Sequence, residues 1–263
     1  MGNSVQEIGS LDRRTREWSA LVSPAPYSTP LLRAAFLEPA GAGDVPVLET
    51  GYPRNDALVR PEAADLRARA RALLGLADDA VAVLYAPTFR DYLSAEDRTA
   101  RTVDFFDTVE ALDLLPDHYV VLVRGHAFNA RIRTQRLVSR DRLVDVTDHP
   151  DVNHLVLASD VGVLDYSSLR FDYVLSGNPM VFLVPDLADY DAARGGVIPY
   201  GPTAPGPRVS TTQEAVQWLA DLPRLRAEYA DARARFRTDY VGLEDGRSAA
   251  RLVEALFAPR GDA

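Results

Sequence analysis

Short apolar runs alternate with amphipathic stretches along most of this chain. The runs that predict strands are Val45–Leu48, Ala80–Tyr85, Tyr119–Val123, Leu143–Val146, Val161–Leu164 and Met180–Val184. The stretches that predict helices are Thr29–Phe36, Pro61–Leu74, Val103–Leu114, Val152–Ala158, Leu169–Leu175, about 212–237 with a break near Pro223, and Arg247–Phe257. This alternation predicts the α/β class, with a Rossmann-like parallel sheet and helices on both of its faces.

Polar residues follow several of the predicted strands. They are Arg54, Thr88, Arg90, Arg124, His126, Ser167 and Ser168. Ligands of open α/β sheets bind beyond the carboxyl ends of the strands. We therefore expect these side chains to meet along one edge of a single sheet.

The most informative segment runs from Asp160 to Asp172. A strand-like run ends at Leu164, and a helical pattern begins after Ser167 and Ser168. Two hydroxyl groups and free backbone N–H groups at a helix start are suited to binding phosphate, although a plain helix cap has the same pattern. Asp165 and Asp172 flank the two serines, and either can hydrogen-bond a polyol or orient a donor; Asp172 can also stabilise its own helix start.

Arginine and histidine residues add charge to the other strand ends. Arg124 can hold a phosphate and His126 can transfer a proton, whereas the alternative for His126 is a surface turn. Arg54 is either a second phosphate clamp or a turn residue paired with Asp56. Thr88 offers a hydroxyl group in a loop that can equally be an ordinary β-α connection.

Composition narrows the class of protein. The chain has 263 residues and a formal net charge of -9, and this negative charge argues against nucleic-acid binding. It has no cysteine, which excludes disulfides and thiolate metal sites. All 29 basic residues are arginine, so an anion would be bound by guanidinium groups. No apolar run has the length of a membrane span, the first residues lack a signal-peptide core, and no motif requires a metal or another cofactor.

A series of motifs carries a resemblance to a known family. In chain order they are GYPRND (51–56), YAPTFRD (85–91), RGH (124–126), PDVNHLVLASD (150–160), DYSSLRFDY (165–173), PMVFLVPDLADY (179–190), ARGG (193–196) and LEDGRSAARLV (243–253). From about Trp18 onward the chain resembles the CDP-glycerol glycerophosphotransferase family, which makes the poly(glycerol phosphate) chains of wall teichoic acid and related polymers.

The resemblance implies the C-terminal domain of a GT-B fold. Residues 1–50 would be a remnant of the N-terminal domain and a linker, and residues 51–263 the Rossmann-like domain that binds the nucleotide donor. The resemblance places the catalytic role on His126. It places contacts to the donor on Arg54, Pro87, Thr88, Arg124, Gly125, His126, Ser167, Ser168 and Asp172.

The reaction implied is attack by a terminal polyol hydroxyl on the β-phosphorus of CDP-glycerol, with CMP leaving. The partners implied are CDP-glycerol or CDP-ribitol, a lipid-linked polyol-phosphate acceptor and, through regions outside this chain, an anionic membrane surface. The expected location is the cytoplasmic face of the cell membrane, with peripheral attachment. No metal is implied.

One departure from the family pattern affects catalysis. The family also uses a histidine in an upstream Trp-His-Gly-Thr-Pro-Leu-Lys motif, and this motif does not occur here. We therefore expect the chain to be an incomplete enzyme with weak activity by itself. The alternatives are a non-catalytic half-domain that binds a CDP-alditol, and a GT-B glycosyltransferase or epimerase that uses a nucleotide sugar.

Overall fold

A computed structural model describes Thr15 and residues 17–88, 105–125, 142–194 and 204–258. The chain divides into two compact units, of which the smaller combines residues 1–61 with 235–263 and the larger comprises residues 62–234. The boundary predicted at residue 50 between a remnant and a donor-binding domain stays a prediction.

Most strands of the described ranges belong to the larger unit. The strands are β1 (Leu21–Ser23), β2 (Val47–Glu49), β3 (Val81–Ala86), β4 (Tyr119–Val123), β5 (Leu143–Asp145), β6 (Val161–Leu164), β7 (Met180–Leu183) and β8 (Arg208–Val209). Strands β3 to β8 form one sheet in the order β5-β4-β3-β6-β7-β8, and every neighbouring pair is parallel. The chain runs outward from β3 to β5 and returns to β6 beside β3. The topological switch point therefore lies between β3 and β6, where ligands of such sheets bind.

The helices alternate with these strands as the sequence predicts. They are α1 (Ser28–Leu32), α2 (Asp56–Val59), α3 (Ala63–Leu73), α4 (Thr108–Leu114), α5 (Val152–Ala158), α6 (Leu169–Tyr173), α7 (Leu187–Arg194), α8 (Thr212–Leu219), α9 (Leu222–Glu228), α10 (Ala230–Val241) and α11 (Ser248–Phe257). A π-helical turn, Arg33–Leu37, follows α1, and short 3-10 turns occupy Pro53–Asn55 and Val174–Ser176.

Both faces of the large sheet are covered, because successive side chains of a strand point to opposite sides. On one side, buried residues of the strands pack with residues of α4, α8 and α9; this cluster includes Val83, Tyr85, Val121, Val163, Val181, Ala111, Val216 and Leu225. On the other side, Gly162 of β6 faces the ring of Tyr173 from α6, where an added Cβ would lie 3.1 Å from the ring. The predicted class, a parallel sheet covered by helices, is thus the observed one.

Several predicted elements agree with the structure to the residue, including Tyr119–Val123, Val152–Ala158 and Val161–Leu164. Helix α4 begins at Thr108 rather than at the predicted Val103, because the Asp107 carboxylate accepts the N–H groups of Val109 and Glu110 and caps the helix there. Helix α7 and strand β8 were not predicted. Strand β8 has two residues, too few for a periodic signal.

The small unit corrects one expectation. Strand β2 pairs with β1 in a separate two-stranded sheet, so Arg54 does not follow a strand of the large sheet. The expectation that one sheet edge would carry Arg54 with the other polar residues was wrong. A three-residue strand such as β2 carries no sequence signal for its partner.

The GYPRND turn of the small unit packs on α11 instead. The Asp56 carboxylate accepts the N–H groups of Ser248 and Ala249 at 2.8 and 3.0 Å and thereby caps α11. The buried Glu244 carboxylate accepts the Tyr52 N–H at 2.8 Å. These bonds join two motifs that lie far apart in the sequence.

Candidate functional site

The ends of β3, β4 and β6 bring several predicted residues to one edge of the large sheet, which we call the carboxyl edge. The Arg124 N–H donates to the Tyr85 carbonyl at 2.8 Å, so the end of β4 lies beside the end of β3. The Thr88 N–H donates to the Asp165 carboxylate at 2.7 Å and joins the end of β3 to the end of β6. Thr88, Arg124 and the turn that contains Ser167 therefore lie along the carboxyl edge.

Asp165 is the central acceptor of this edge. The residue is 5% exposed. Its Oδ1 accepts the Thr88 hydroxyl at 2.6 Å and the Ser167 N–H at 3.2 Å, while its Oδ2 accepts the Thr88 N–H. These hydrogen bonds join the loop after β3 to the turn after β6, so Asp165 fixes the two loops to each other.

The backbone N–H groups of the turn that contains Ser167 and Ser168 are bonded within the protein to a greater extent than the sequence predicts. Ser167 Oγ accepts the Leu169 N–H at 3.2 Å, and the Ser167 N–H is already donated to Asp165. Ser168 is exposed and makes no side-chain cap bond at the start of α6, which has only five residues. The backbone cradle expected for phosphate is therefore largely used within the protein. The predicted phosphate contacts of Ser167 and Ser168 remain predictions that rest on their hydroxyl groups.

The Arg124-Gly125 segment is held by the loop after β5. Arg124 Nη1 donates to the His149 carbonyl at 2.8 Å, and the Gly125 N–H donates to Thr147 Oγ1 at 2.9 Å. The Thr147 N–H in turn donates to Asp145 Oδ1 at 2.9 Å. Sequence reasoning missed both partners. His149 contributes a backbone carbonyl, which any residue type could supply. The bond to His149 sets the direction of the Arg124 guanidinium.

Aromatic side chains support β6 and the turn after it. The Tyr173 hydroxyl lies 2.9 Å from Ser159 Oγ, and burial raises the pKa of Tyr173 above its ordinary value. The buried Tyr166 donates its hydroxyl to Asp186 at 2.8 Å and stacks on Tyr190 with ring centroids 3.7 Å apart. The turn between β6 and α6 is thus fixed by side chains as well as by Asp165.

The other predicted site residues lie in different parts of the molecule. Pro87 follows β3 directly, and Asp172 lies on α6; both are half-buried. Arg54 lies in the small unit with an exposed side chain, its guanidinium 4.4 Å from the Tyr52 ring centroid. The alternative that pairs Arg54 with Asp56 is not what the structure shows for Asp56, which bonds to α11 and to Arg60. His126, the predicted catalytic residue, lies outside the described residues.

Two further observations concern other site types. Among the residues that the structure describes, no three histidine, aspartate or glutamate side chains are grouped so that they could hold a metal ion. Within the same ranges, no helix has both the length and the apolar character needed to cross a membrane.

Comparison with known proteins decides the family. Residues 1–258 match the family described as CDP-Glycerol:Poly(glycerophosphate) glycerophosphotransferase. The chain belongs to this family. A teichoic acid glycerol-phosphate transferase of Staphylococcus aureus is 33% identical over 93% of the chain, and a teichoic acid poly(glycerol phosphate) polymerase of Bacillus subtilis is 30% identical over 93%.

A solved structure supports the fold of this family member. The wall teichoic acid polymerase TagF superposes with a TM-score of 0.81 at 29% identity, over 94% of this chain. This likeness confirms the predicted Rossmann-like GT-B class. The chain spans 62% of the S. aureus transferase, 32% of the B. subtilis polymerase and 59% of the solved TagF chain.

Proposed function

We propose that this chain binds CDP-glycerol, and that the enzyme to which it belongs transfers glycerol phosphate to a polyol-phosphate acceptor of the teichoic acid type. The observation that carries the proposal is the family match over residues 1–258, together with the carboxyl edge, where Thr88, Arg124 and Ser167 lie at the switch point. A solved TagF variant soaked with CDPG has a TM-score of 0.81 to this chain and supports the choice of ligand.

The residues of the carboxyl edge suit the chemistry of phosphoryl transfer, which consists mainly of positioning and charge stabilisation. Arg124 carries a permanent positive charge at the end of β4, where it can neutralise a pyrophosphate oxygen. The Ser167 hydroxyl can donate to another oxygen of the same group. Arg54, Pro87, Gly125, Ser168 and Asp172 remain proposed contacts.

His126 follows Gly125 directly in the sequence, and we assign it the role of proton donor or charge stabiliser as CMP leaves. Transfer also needs a group that activates the acceptor hydroxyl. We therefore expect the chain alone to bind CDP-glycerol but to release CMP slowly. In a longer protein that carries the Trp-His-Gly segment, His126→Ala should lower kcat by about 10²–10⁴-fold. Its affinity for CDP-glycerol should stay unchanged.

A second candidate function is a CDP-alditol-binding half-domain without turnover. Ribitol is a second candidate polyol, because a teichoic acid ribitol-phosphate polymerase of S. aureus is 29% identical over 84% of the chain. The proposed location at the cytoplasmic membrane face and the proposed lipid-linked acceptor rest on the resemblance to the family.

A thermal-shift panel of CDP-glycerol, CDP-ribitol, CMP and UDP-glucose tests the proposal. A ligand that binds only the folded state at one hundred times its Kd adds about 2.7 kcal/mol to the stability. We expect a rise in Tm with CDP-glycerol or CDP-ribitol and a smaller rise with CMP. A rise with UDP-glucose alone would contradict the proposal and favour a glycosyltransferase. Measured CMP release in the presence of a primed acceptor then separates the enzyme from the half-domain.

A further inference from the structure

Two aspartates bracket strand β6, and both join it to β3. At the start of β6, Asp160 Oδ2 accepts the Ala82 N–H at 2.8 Å. At the end of β6, Asp165 Oδ2 accepts the Thr88 N–H at 2.7 Å. Only Asp165 lies at the carboxyl edge. Asp160 therefore serves as a control: it makes a similar bond between the two strands but lies away from the candidate site.

The bonds of Asp165 determine what the Thr88 hydroxyl can do. A carboxylate can only accept hydrogen bonds, so the 2.6 Å contact between Thr88 Oγ1 and Asp165 Oδ1 uses the hydroxyl hydrogen of Thr88. The backbone N–H of Thr88 is donated to the same carboxylate. Any further hydrogen bond at Thr88 Oγ1 is therefore one that the oxygen accepts.

Ser167 has the opposite polarity. Its Oγ accepts the Leu169 N–H at 3.2 Å, and this bond uses a lone pair but not the hydroxyl hydrogen. The Ser167 side chain can thus donate to a ligand oxygen. A pyrophosphate diester carries only acceptor oxygens at neutral pH, so it can pair with Ser167 but not with Thr88.

We infer that Asp165 is a positioning residue that makes Thr88 an acceptor for a hydroxyl group of the nucleotide donor, while the phosphates lie against Ser167. The hydroxyl group belongs either to the polyol or to the ribose of the ligand. This inference rests on the proposed function and changes one predicted contact: Thr88 recognises a hydroxyl group rather than a phosphate oxygen.

The test compares ligands that differ only in hydroxyl groups. Calorimetric titrations use CDP-glycerol, the n-propyl ester of CDP, which lacks the polyol hydroxyls, and a 2′,3′-dideoxyribose analogue of CDP-glycerol. Thr88→Val removes the accepting oxygen and should weaken CDP-glycerol binding by about tenfold. Thr88→Ser keeps the oxygen and should bind within about twofold of the unmodified chain. If Thr88 binds a polyol hydroxyl, Thr88→Val should not change the affinity for the propyl ester. If Thr88 binds a ribose hydroxyl, it should not change the affinity for the dideoxy analogue.

Asp165→Asn provides the second arm. The asparagine amide can donate to Thr88 Oγ1, which frees the threonine hydrogen and removes the imposed polarity. The preference for CDP-glycerol over the analogue that lacks the recognised hydroxyl should shrink. The matched control is Asp160→Asn, which disturbs the other end of the same strand pair and should lower Tm without changing the preference.

These measurements distinguish a failure of the proposed function from a failure of the role assigned to Thr88 and Asp165. If the unmodified chain binds none of the three ligands, the proposed function is contradicted and the inference falls with it. If it binds CDP-glycerol but Thr88→Val has no effect, or weakens all three ligands equally, only the assignment of Thr88 and Asp165 is overturned. The same holds if Asp160→Asn reduces the preference as much as Asp165→Asn does. Should Asp165→Asn not fold, the Thr88 variants decide the question alone.

Discussion

The Asp56 carboxylate accepts the backbone N–H of Ser248 at 2.8 Å, across a separation of 192 residues. The same carboxylate accepts the N–H of Ala249 and forms an ion pair with Arg60 at 3.1 Å. Asp56 is 2% exposed and Ser248 is fully buried, so no water can replace the acceptor of the Ser248 N–H. Asp56 of the GYPRND turn therefore caps the N-terminus of α11 within the small unit.

Replacing Asp56 by alanine should destabilise the small unit. The change leaves the Ser248 and Ala249 N–H groups without their acceptor, which we expect to cost about 1–3 kcal/mol. Urea denaturation measures the effect. The exposed Asp44→Ala serves as control and should change the stability little. Equal stabilities for the two variants would show that the cap contributes nothing.

Gly51 allows the GYPRND turn to pack closely against Ser248 and Glu244. Its φ is +78°, and a Cβ built there would overlap the Ser248 hydroxyl and lie 3.1 Å from Glu244 Oε2. Gly75 has a similar φ of +68° but open space around the position of a Cβ. Gly75→Ala should cost about 1 kcal/mol of backbone strain. Gly51→Ala should cost clearly more in the same denaturation experiment, and a smaller loss than Gly75→Ala would disprove the close packing.

Alkaline pH should destabilise the large unit through Tyr173. Burial raises the pKa of Tyr173 above its ordinary value of 10.0, while its bond to Ser159 lowers it in part. Below about pH 10 both the folded and the unfolded chain keep this proton, so the group causes no pH dependence. Above that pH the unfolded chain loses the proton first, and the stability falls as the pH rises.

The Tyr173→Phe variant tests this assignment. It should be less stable at neutral pH by about 1 kcal/mol, because the bond between the Tyr173 hydroxyl and Ser159 Oγ is lost and Ser159 keeps only its bond to the Val156 carbonyl. Its unfolding free energy should decline less between pH 9 and pH 11 than that of the unmodified chain. Parallel declines of the two proteins would assign the alkaline transition to other groups.

The local patterns of the sequence were sufficient for the sheet and for part of the site. An apolar run such as Tyr119–Val123, followed by Arg124, predicts both a buried strand and a charged residue at its end. The parallel arrangement then brings Thr88 and Ser167 together, since the ends of β3 and β6 are adjacent. The placement of polar residues at strand ends needs only the chain near each residue and the rule for parallel sheets. The adjacency of β3 and β6 comes from the structure.

The remaining features depend on partners that are distant in the sequence. The carbonyl that receives Arg124 belongs to His149, and its residue type gives no indication of that bond. Strand β2 was assigned to the wrong sheet because its few residues do not indicate the neighbour that they pair with. The sequence marks Asp165 as a residue that could hydrogen-bond a polyol or orient a donor, but it does not predict the bond to Thr88, which lies 77 residues away.

Arg124→Ala should weaken CDP-glycerol binding by about 1.5–3 kcal/mol, because it removes a charge-assisted hydrogen bond to the pyrophosphate. Arg124→Lys keeps the charge but not the planar fork that also reaches His149, so its affinity should be intermediate. Arg224→Ala is the control, since Arg224 pairs with Glu228 on the surface at 3.2 Å. Unchanged affinity in Arg124→Ala would remove this residue from the site.

We propose that this chain holds a CDP-alditol at the carboxyl edge between β3 and β6. The decisive experiment is a calorimetric titration of the chain with CDP-glycerol, repeated with Ser167→Ala and Arg124→Ala. We predict one saturable site, a loss of about 1 kcal/mol for Ser167→Ala and a larger loss for Arg124→Ala. The absence of saturable binding, or binding that neither substitution changes, would contradict the account.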